Sequence, residues 1–176
     1  MQIRIVREGA LAPISGYWDT IWSTEFGEGD WALADPDGAA GSRGGLKADA
    51  GLATAIILAL FTDKRAPEGA ALDDGDRRGW FGDRIDVRAD LGETDLGSWI
   101  WLYERSALTE ELPQLIQDAA VEALEPIRLQ GAVARFDVVA EMFRDDDRVD
   151  LGVDAFSQDG TKIFSQRFAL LWDQVR

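Results

Sequence analysis

Residues 132–143 read Ala132-Val133-Ala134-Arg135-Phe136-Asp137-Val138-Val139-Ala140-Glu141-Met142-Phe143, with every even position apolar and the odd positions mixed. A period of two is the pattern of a strand with one face buried and the other facing water. After Asp145-Asp146-Asp147 the alternation resumes, with Val149, Leu151, Val153 and Ala155 set against Asp150, Gly152 and Asp154. A third strand is expected from Thr161 to Trp172. Asp159-Gly160 before it suits a tight primed hairpin turn, in which both central residues take positive φ. The last third therefore predicts a three-strand antiparallel meander with one apolar face.

Upstream, the period changes to that of a helix. From Thr109 to Leu124, the residues Leu112, Leu115, Ile116, Ala119, Ala123 and Leu124 form an apolar stripe, with Thr109 the expected cap and Pro113 in the first turn, where its missing N–H does least harm. Pro126 is expected to end or kink the helix near Glu125. A second helix is predicted from Asp49, as N-cap, to Phe61, with Leu52, Ala53, Ile56, Ile57, Leu60 and Phe61 on its buried side. Gln2 to Arg7 reads as a short strand, and residues 10–45 as turns around short extended pieces anchored by Tyr17, Trp18, Trp22, Phe26 and Trp31. The fold class is α+β: two main helices packed on a C-terminal three-strand meander, plus an N-terminal strand-and-loop region. One domain is expected over 1–176, irregular and strand-containing over 1–45, mainly helical over 46–130 and antiparallel sheet over 131–176.

Between the helices lies the segment with the least periodic signal. Asp63 to Asp76 reads as a polar, solvated connection. Trp80 and Phe81 stand between Gly79 and Gly82, a setting expected to turn both rings inward as an anchor while the backbone bends. Gly97-Ser98 precedes Trp99-Ile100-Trp101-Leu102-Tyr103, read as a short helix that Ser98 caps. Trp80, Trp99, Trp101 and Trp172 are expected in the core.

Composition excludes much chemistry. There is no cysteine and no histidine, which removes disulfides, thiolate catalysis, histidine triads and most zinc sites. A formal charge of −15 repels phosphate backbones, and the basic pair Arg77-Arg78 is ringed in sequence by Asp73, Asp74, Asp76 and Asp83, so no direct nucleic-acid binding is expected. No stretch approaches the ~20 apolar residues of a membrane span, and no signal segment opens the chain. Asp73, Asp74, Asp76, Glu104, Glu110 and Glu111 offer carboxylate pairs of the kind that cleave glycosidic bonds. With 33 acidic residues, chance supplies such pairs, and solvated surface is the preferred reading. Neither Asp145-Asp146-Asp147 nor Asp73-Asp74-Gly75-Asp76 has EF-hand spacing, and Gly41 to Lys47 lacks the ending of a phosphate loop. No catalytic residue, metal or cofactor is expected.

Three blocks, in order, carry a resemblance: Leu60-Phe61-Thr62-Asp63-Lys64-Arg65-Ala66, Arg77-Arg78-Gly79-Trp80-Phe81-Gly82-Asp83 and Gly97-Ser98-Trp99-Ile100-Trp101-Leu102. Together with Gly29-Asp30-Trp31 and Glu122-Ala123-Leu124, they resemble the Mu-like phage and prophage tail baseplate proteins. The resemblance implies a structural virion component of a contractile-tail baseplate wedge, assembled in the bacterial host cytoplasm. Its partners would be other wedge, tube or sheath proteins. A more distant similarity is to sheath-initiating wedge proteins, which carry Glu-Pro-Arg between a helix and the next strand; here the place reads Glu125-Pro126-Ile127-Arg128, with Ile127 interrupting the motif. Candidate interface residues are Arg77, Arg78, Trp80, Phe81, Glu125, Pro126 and Arg128. Alternative readings are a tail-associated cell-wall hydrolase using paired carboxylates and an acidic DNA mimic.

Overall fold

The computed structural model describes residues 2–6, 20–23, 28–31, 51–72, 75–83, 85, 89–91, 94–104 and 106–171. The anchors Tyr17, Trp18 and Phe26, the cap Asp49, the segment Gly41 to Lys47, Asp73, Asp74 and Trp172 lie outside the described residues.

The fold is α+β. A four-stranded antiparallel sheet has the order β1-β6-β5-β4, built from β1 (Gln2–Val6), β4 (Arg135–Phe143), β5 (Arg148–Phe156) and β6 (Lys162–Leu171). The last three strands are the expected meander. The N-terminal strand adds to it, pairing Gln2 with Leu171 through Val6 with Arg167. A separate two-stranded antiparallel pair joins β2 (Thr20–Ser23) and β3 (Glu28–Trp31), within the region read as short extended pieces.

One sheet face is packed and the other mostly wet. Val149, Leu151, Val153 and Ala155 are buried on β5, as their alternation requires, and Phe164, Phe168 and Leu170 join them from β6. Two helices cover this face: α1 (Gly51–Phe61) and α2 (Leu112–Leu129). On α2 the buried set Leu112, Ile116, Ala119, Ala120, Ala123, Leu124 and Ile127 recurs every three or four residues, so one stripe meets the sheet. Leu115, placed on that stripe by sequence, is instead 40% exposed. The buried sides of α1 and α2 share one core with the sheet, and Phe61 meets Phe168 edge-on at 5.0 Å between ring centres.

Three local expectations change. Pro126 lies inside α2, which continues to Leu129. A proline within a helix costs ~3 kcal/mol, and the extra turn recovers about 1.5–3 kcal/mol by burying Ile127. Thr109 does not cap α2: helical geometry begins at Leu112, after a turn in which the Leu112 N–H donates to the Thr109 carbonyl at 3.2 Å. The β5–β6 hairpin is not the primed two-residue form, since Gly160 alone takes positive φ (83°) while Asp159 does not. Gly160 N–H donates to the Ser157 carbonyl and Ser157 N–H to the Thr161 carbonyl, the longer hairpin closed by a glycine bulge. Asp159 serves as the acceptor of the turn, taking bonds from Ser157 Oγ and, at 3.0 Å, the Thr161 N–H.

Candidate docking surface

The three central blocks, distant in sequence, meet in one place. After α1 the chain runs extended, and Asp63 forms a parallel bridge with Ser98. Ser98 N–H donates to the Thr62 carbonyl at 2.9 Å, and Lys64 N–H to the Ser98 carbonyl at 3.1 Å. The Ser98 hydroxyl is buried; it donates to the Leu60 carbonyl at 2.5 Å and accepts the Ile100 N–H at 3.2 Å. The second bond satisfies an open donor at the start of the 3-10 turn Ile100–Tyr103 from one residue outside it; the cap position itself is Trp99, not Ser98 as expected.

Side chains then take up the carbonyls that α1 and its extension leave open. Trp101 Nε1 donates to Lys64 O at 2.9 Å, Trp99 Nε1 to Arg65 O at 3.2 Å, and Arg77 Nε and Nη2 both to Ala66 O at 2.8 and 2.6 Å. Lys64 sits 5.0 Å above the Trp99 ring and bonds Glu122 on α2 at 2.9 Å. The Arg78 guanidinium lies 4.3 Å over Trp101 and reaches Asp63 at 2.8 Å. Trp99 and Trp101 are half-buried clasps between backbone and cations; Trp99 also packs against the core, as expected of it, whereas Trp101 does not join the core cluster. Arg78 holds a left-handed φ of 50°, steadied by Asp76 Oδ1, which accepts its N–H at 2.9 Å.

One glycine is required by this junction and a second makes room for a ring. Gly97 has φ of 105°, and a Cβ there would stand 2.2 Å from the Thr62 carbonyl oxygen. A Cβ on Gly82 would fall 2.1 Å from the Trp80 ring, which lies over it.

The rings of Trp80 and Phe81 do not turn inward. Phe81 is 88% exposed and Trp80 45%, with 5.1 Å between their centres. The Trp80 ring lies over Gly82 and beside Phe81. Leaving a Phe ring in water forgoes about 1.5–3 kcal/mol of burial.

Behind the tip runs a groove of about 330 Å³, lined chiefly by Leu58 of α1, Trp80, Asp83, Ile85, Pro126 and Ile127. It brings Trp80 and Pro126 to one site. Leu58 is 40% exposed and Ile85 65%. Glu125 and Arg128 pair with each other on the last turn of α2, through Arg128 Nε at 2.8 Å and Nη2. The Arg128 hydrogen bond holds the Glu125 carboxyl below its ordinary value, and Glu125 in turn raises Arg128. Being exposed and mutually satisfied, the pair adds little stability.

Leu58, Asp83 and Ile85 were not singled out in sequence. The available signal was that α1 is apolar on all sides, so a helix at the surface has apolar residues left over. Of the described carboxylates considered for hydrolysis, Asp76 accepts the Arg78 N–H, Glu104 lies 3.9 Å from the Arg78 guanidinium, and Glu110 pairs with Arg144 on the β4–β5 turn. Among the described residues no group of three or more Asp or Glu is placed to hold a metal ion, and no helix is long and apolar enough to cross a membrane.

Comparison with known proteins follows the same blocks. The family described as "Phage protein GP46" matches residues 52–162. "Baseplate protein gp46" of Escherichia phage Mu is 38% identical over 95 residues, 53% of this chain and 61% of that relative. The chain therefore spans less than two thirds of that relative's length. No solved structure matches.

Proposed function

The chain belongs to the phage protein GP46 family, a Mu-like baseplate family, and on that premise we propose that it is a structural part of a contractile-tail baseplate wedge, working by docking and not by covalent chemistry. The observation that carries this reading is the joining of the three family-like blocks into one clasp whose product is an outward pair of aromatic rings. A clasp of backbone carbonyls, indoles and guanidinium groups presents a rigid tip, and rigidity lowers the entropy lost on binding. Wedge, tube and sheath proteins are the proposed partners, with assembly in the host cytoplasm and residence in the tail.

The strand edge offers a second contact. Ala140 N–H is taken by Gln117 Oε1 at 3.2 Å, so this amide faces away from β5. By alternation along β4, the amides of Phe136, Val138 and Met142 face the same open side. A strand from a sheath or wedge subunit added there would template the first sheath ring through main-chain bonds.

The test is an in-frame deletion in the source phage or prophage, followed by electron microscopy of induced lysates. Loss of sheathed tails, restored by the wild-type gene, is the expected result. Complementation with Met142→Pro, which removes an open-edge N–H, is expected to give folded protein but no sheath. Normal sheath in that strain rejects edge templating, and normal tails in the deletion strain reject the baseplate role.

A further inference from the structure

Resting on the baseplate reading, we infer that the groove behind Trp80 receives a basic, apolar-sided segment of a neighbouring tail protein, with a lysine or arginine head meeting Asp83. Three observations converge on this occupant. The walls are apolar, from Leu58, Ala59, Trp80, Ile85 and Ile127, so an apolar side must face them. At about 330 Å³ the space is at the low end of the roughly 300–1,000 Å³ typical of small-molecule sites, room for a few side chains and not for a large cofactor.

The charge of the site supplies the rest. Asp83 uses Oδ1 to accept the Leu96 N–H at 2.9 Å, which fixes the carboxylate in place. Its other oxygen, Oδ2, is shut away from solvent and has no hydrogen-bond partner among the described residues. A carboxylate oxygen in that condition lacks a donor, and a cation is the donor that satisfies it best. Asp95 also lines the groove, and among the described lining residues there is no Lys or Arg. The described cations of the neighbouring clasp are engaged elsewhere: Lys64 with Glu122, Arg77 with Ala66 and Arg78 with Asp63. A chain of net charge −15 also draws basic partners in preference to acidic ones or to a second copy of itself.

The experiment replaces Leu58 with the photo-crosslinking residue p-benzoylphenylalanine in the full-length protein, assembles it into tails in vivo, and irradiates purified particles. Mass spectrometry is expected to find position 58 joined to another tail protein, within a segment that places Lys or Arg next to apolar residues. Asp83→Asn keeps an acceptor for the Leu96 N–H, so the variant is expected to melt like the parent while crosslink yield falls about tenfold or more. Tails that contain the protein but give no crosslink from position 58 overturn the inference and leave the baseplate reading standing. So does a crosslink to an acidic segment or a second copy, or a yield unchanged by Asp83→Asn. Tails that lack the protein altogether sink both.

Discussion

The half of the molecule formed by α2 and the meander and the half formed by α1 and the clasp are stabilised in different ways. In the first, the faces turned to the core carry aliphatic and phenylalanine side chains, while Leu115, Val121, Leu129 and Val139 are left exposed on the outside. In the second, indoles and guanidinium groups hold backbone carbonyls while Trp80, Phe81 and Leu58 stay at the surface. The difference lies outside the shared core: both halves bury apolar side chains in it, Leu52, Ile56 and Leu60 of α1 among them, and the clasp adds indoles and guanidinium groups that hold carbonyls beside an exposed aromatic pair.

The comparison breaks most sharply if the core is not the source of stability. Phe168→Ala empties a site with no exposure, where the Phe61 ring also packs, and is expected to cost about 3–5 kcal/mol in denaturant unfolding. The clasp comes next. Gly97→Ala forces a methyl to within 2.2 Å of a carbonyl oxygen at φ of 105°, and a loss of at least about 2 kcal/mol is expected from the combined strain and clash. Ser98→Ala leaves the Leu60 carbonyl and the Ile100 N–H without their shared partner, with an expected loss of about 1–3 kcal/mol by the same assay. If Ser98→Ala matched Phe168→Ala, the division between the two halves would not hold.

The smallest effect is with acid. Burial pushes Asp154 up, but hydrogen bonds from Lys162 and Ser165 at 2.6 Å outweigh it and hold its carboxyl below the ordinary value. Asp159 is lowered chiefly by the Ser157 hydroxyl. A depressed folded-state pKa contributes stability above the unfolded value, lost as pH falls through the folded one. A modest loss is therefore expected below about pH 4, and Asp154→Asn is expected to flatten that part of the stability curve.

Legibility in sequence follows the same division. Strands β4 to β6 and α2 were readable because burial on one face imposes a period, which Val149, Leu151 and Val153 follow although Asp150 between them is buried too; α1 was readable from its apolar run. Pro126 misled because a local helix-breaking rule lost to the burial of Ile127 one residue on. Gly160 misled because a glycine can close two kinds of hairpin and only the register of β6 chooses between them. The clasp could not be read from periodicity, since its bonds join Lys64 to Trp101 and Ala66 to Arg77 across loops. The inward expectation for Trp80 and Phe81 rests on their bulk and on the bend that Gly79 and Gly82 allow. Their exposure depends on which backbone segments are tied around them, and local sequence does not carry that information.

The docking claim is tested most directly by the double variant Trp80→Ala, Phe81→Ser, expressed in a strain lacking the native gene. With a residue as exposed as Phe81, stability is expected to move by no more than about 0.5–1 kcal/mol, so the purified variant should melt close to the parent. Immunoblots of gradient-purified tails are predicted to show the wild-type chain co-sedimenting with the particles and the variant left at the top of the gradient. A wild-type chain that never enters the particles, or a variant that enters them as fully as the parent, would contradict the account.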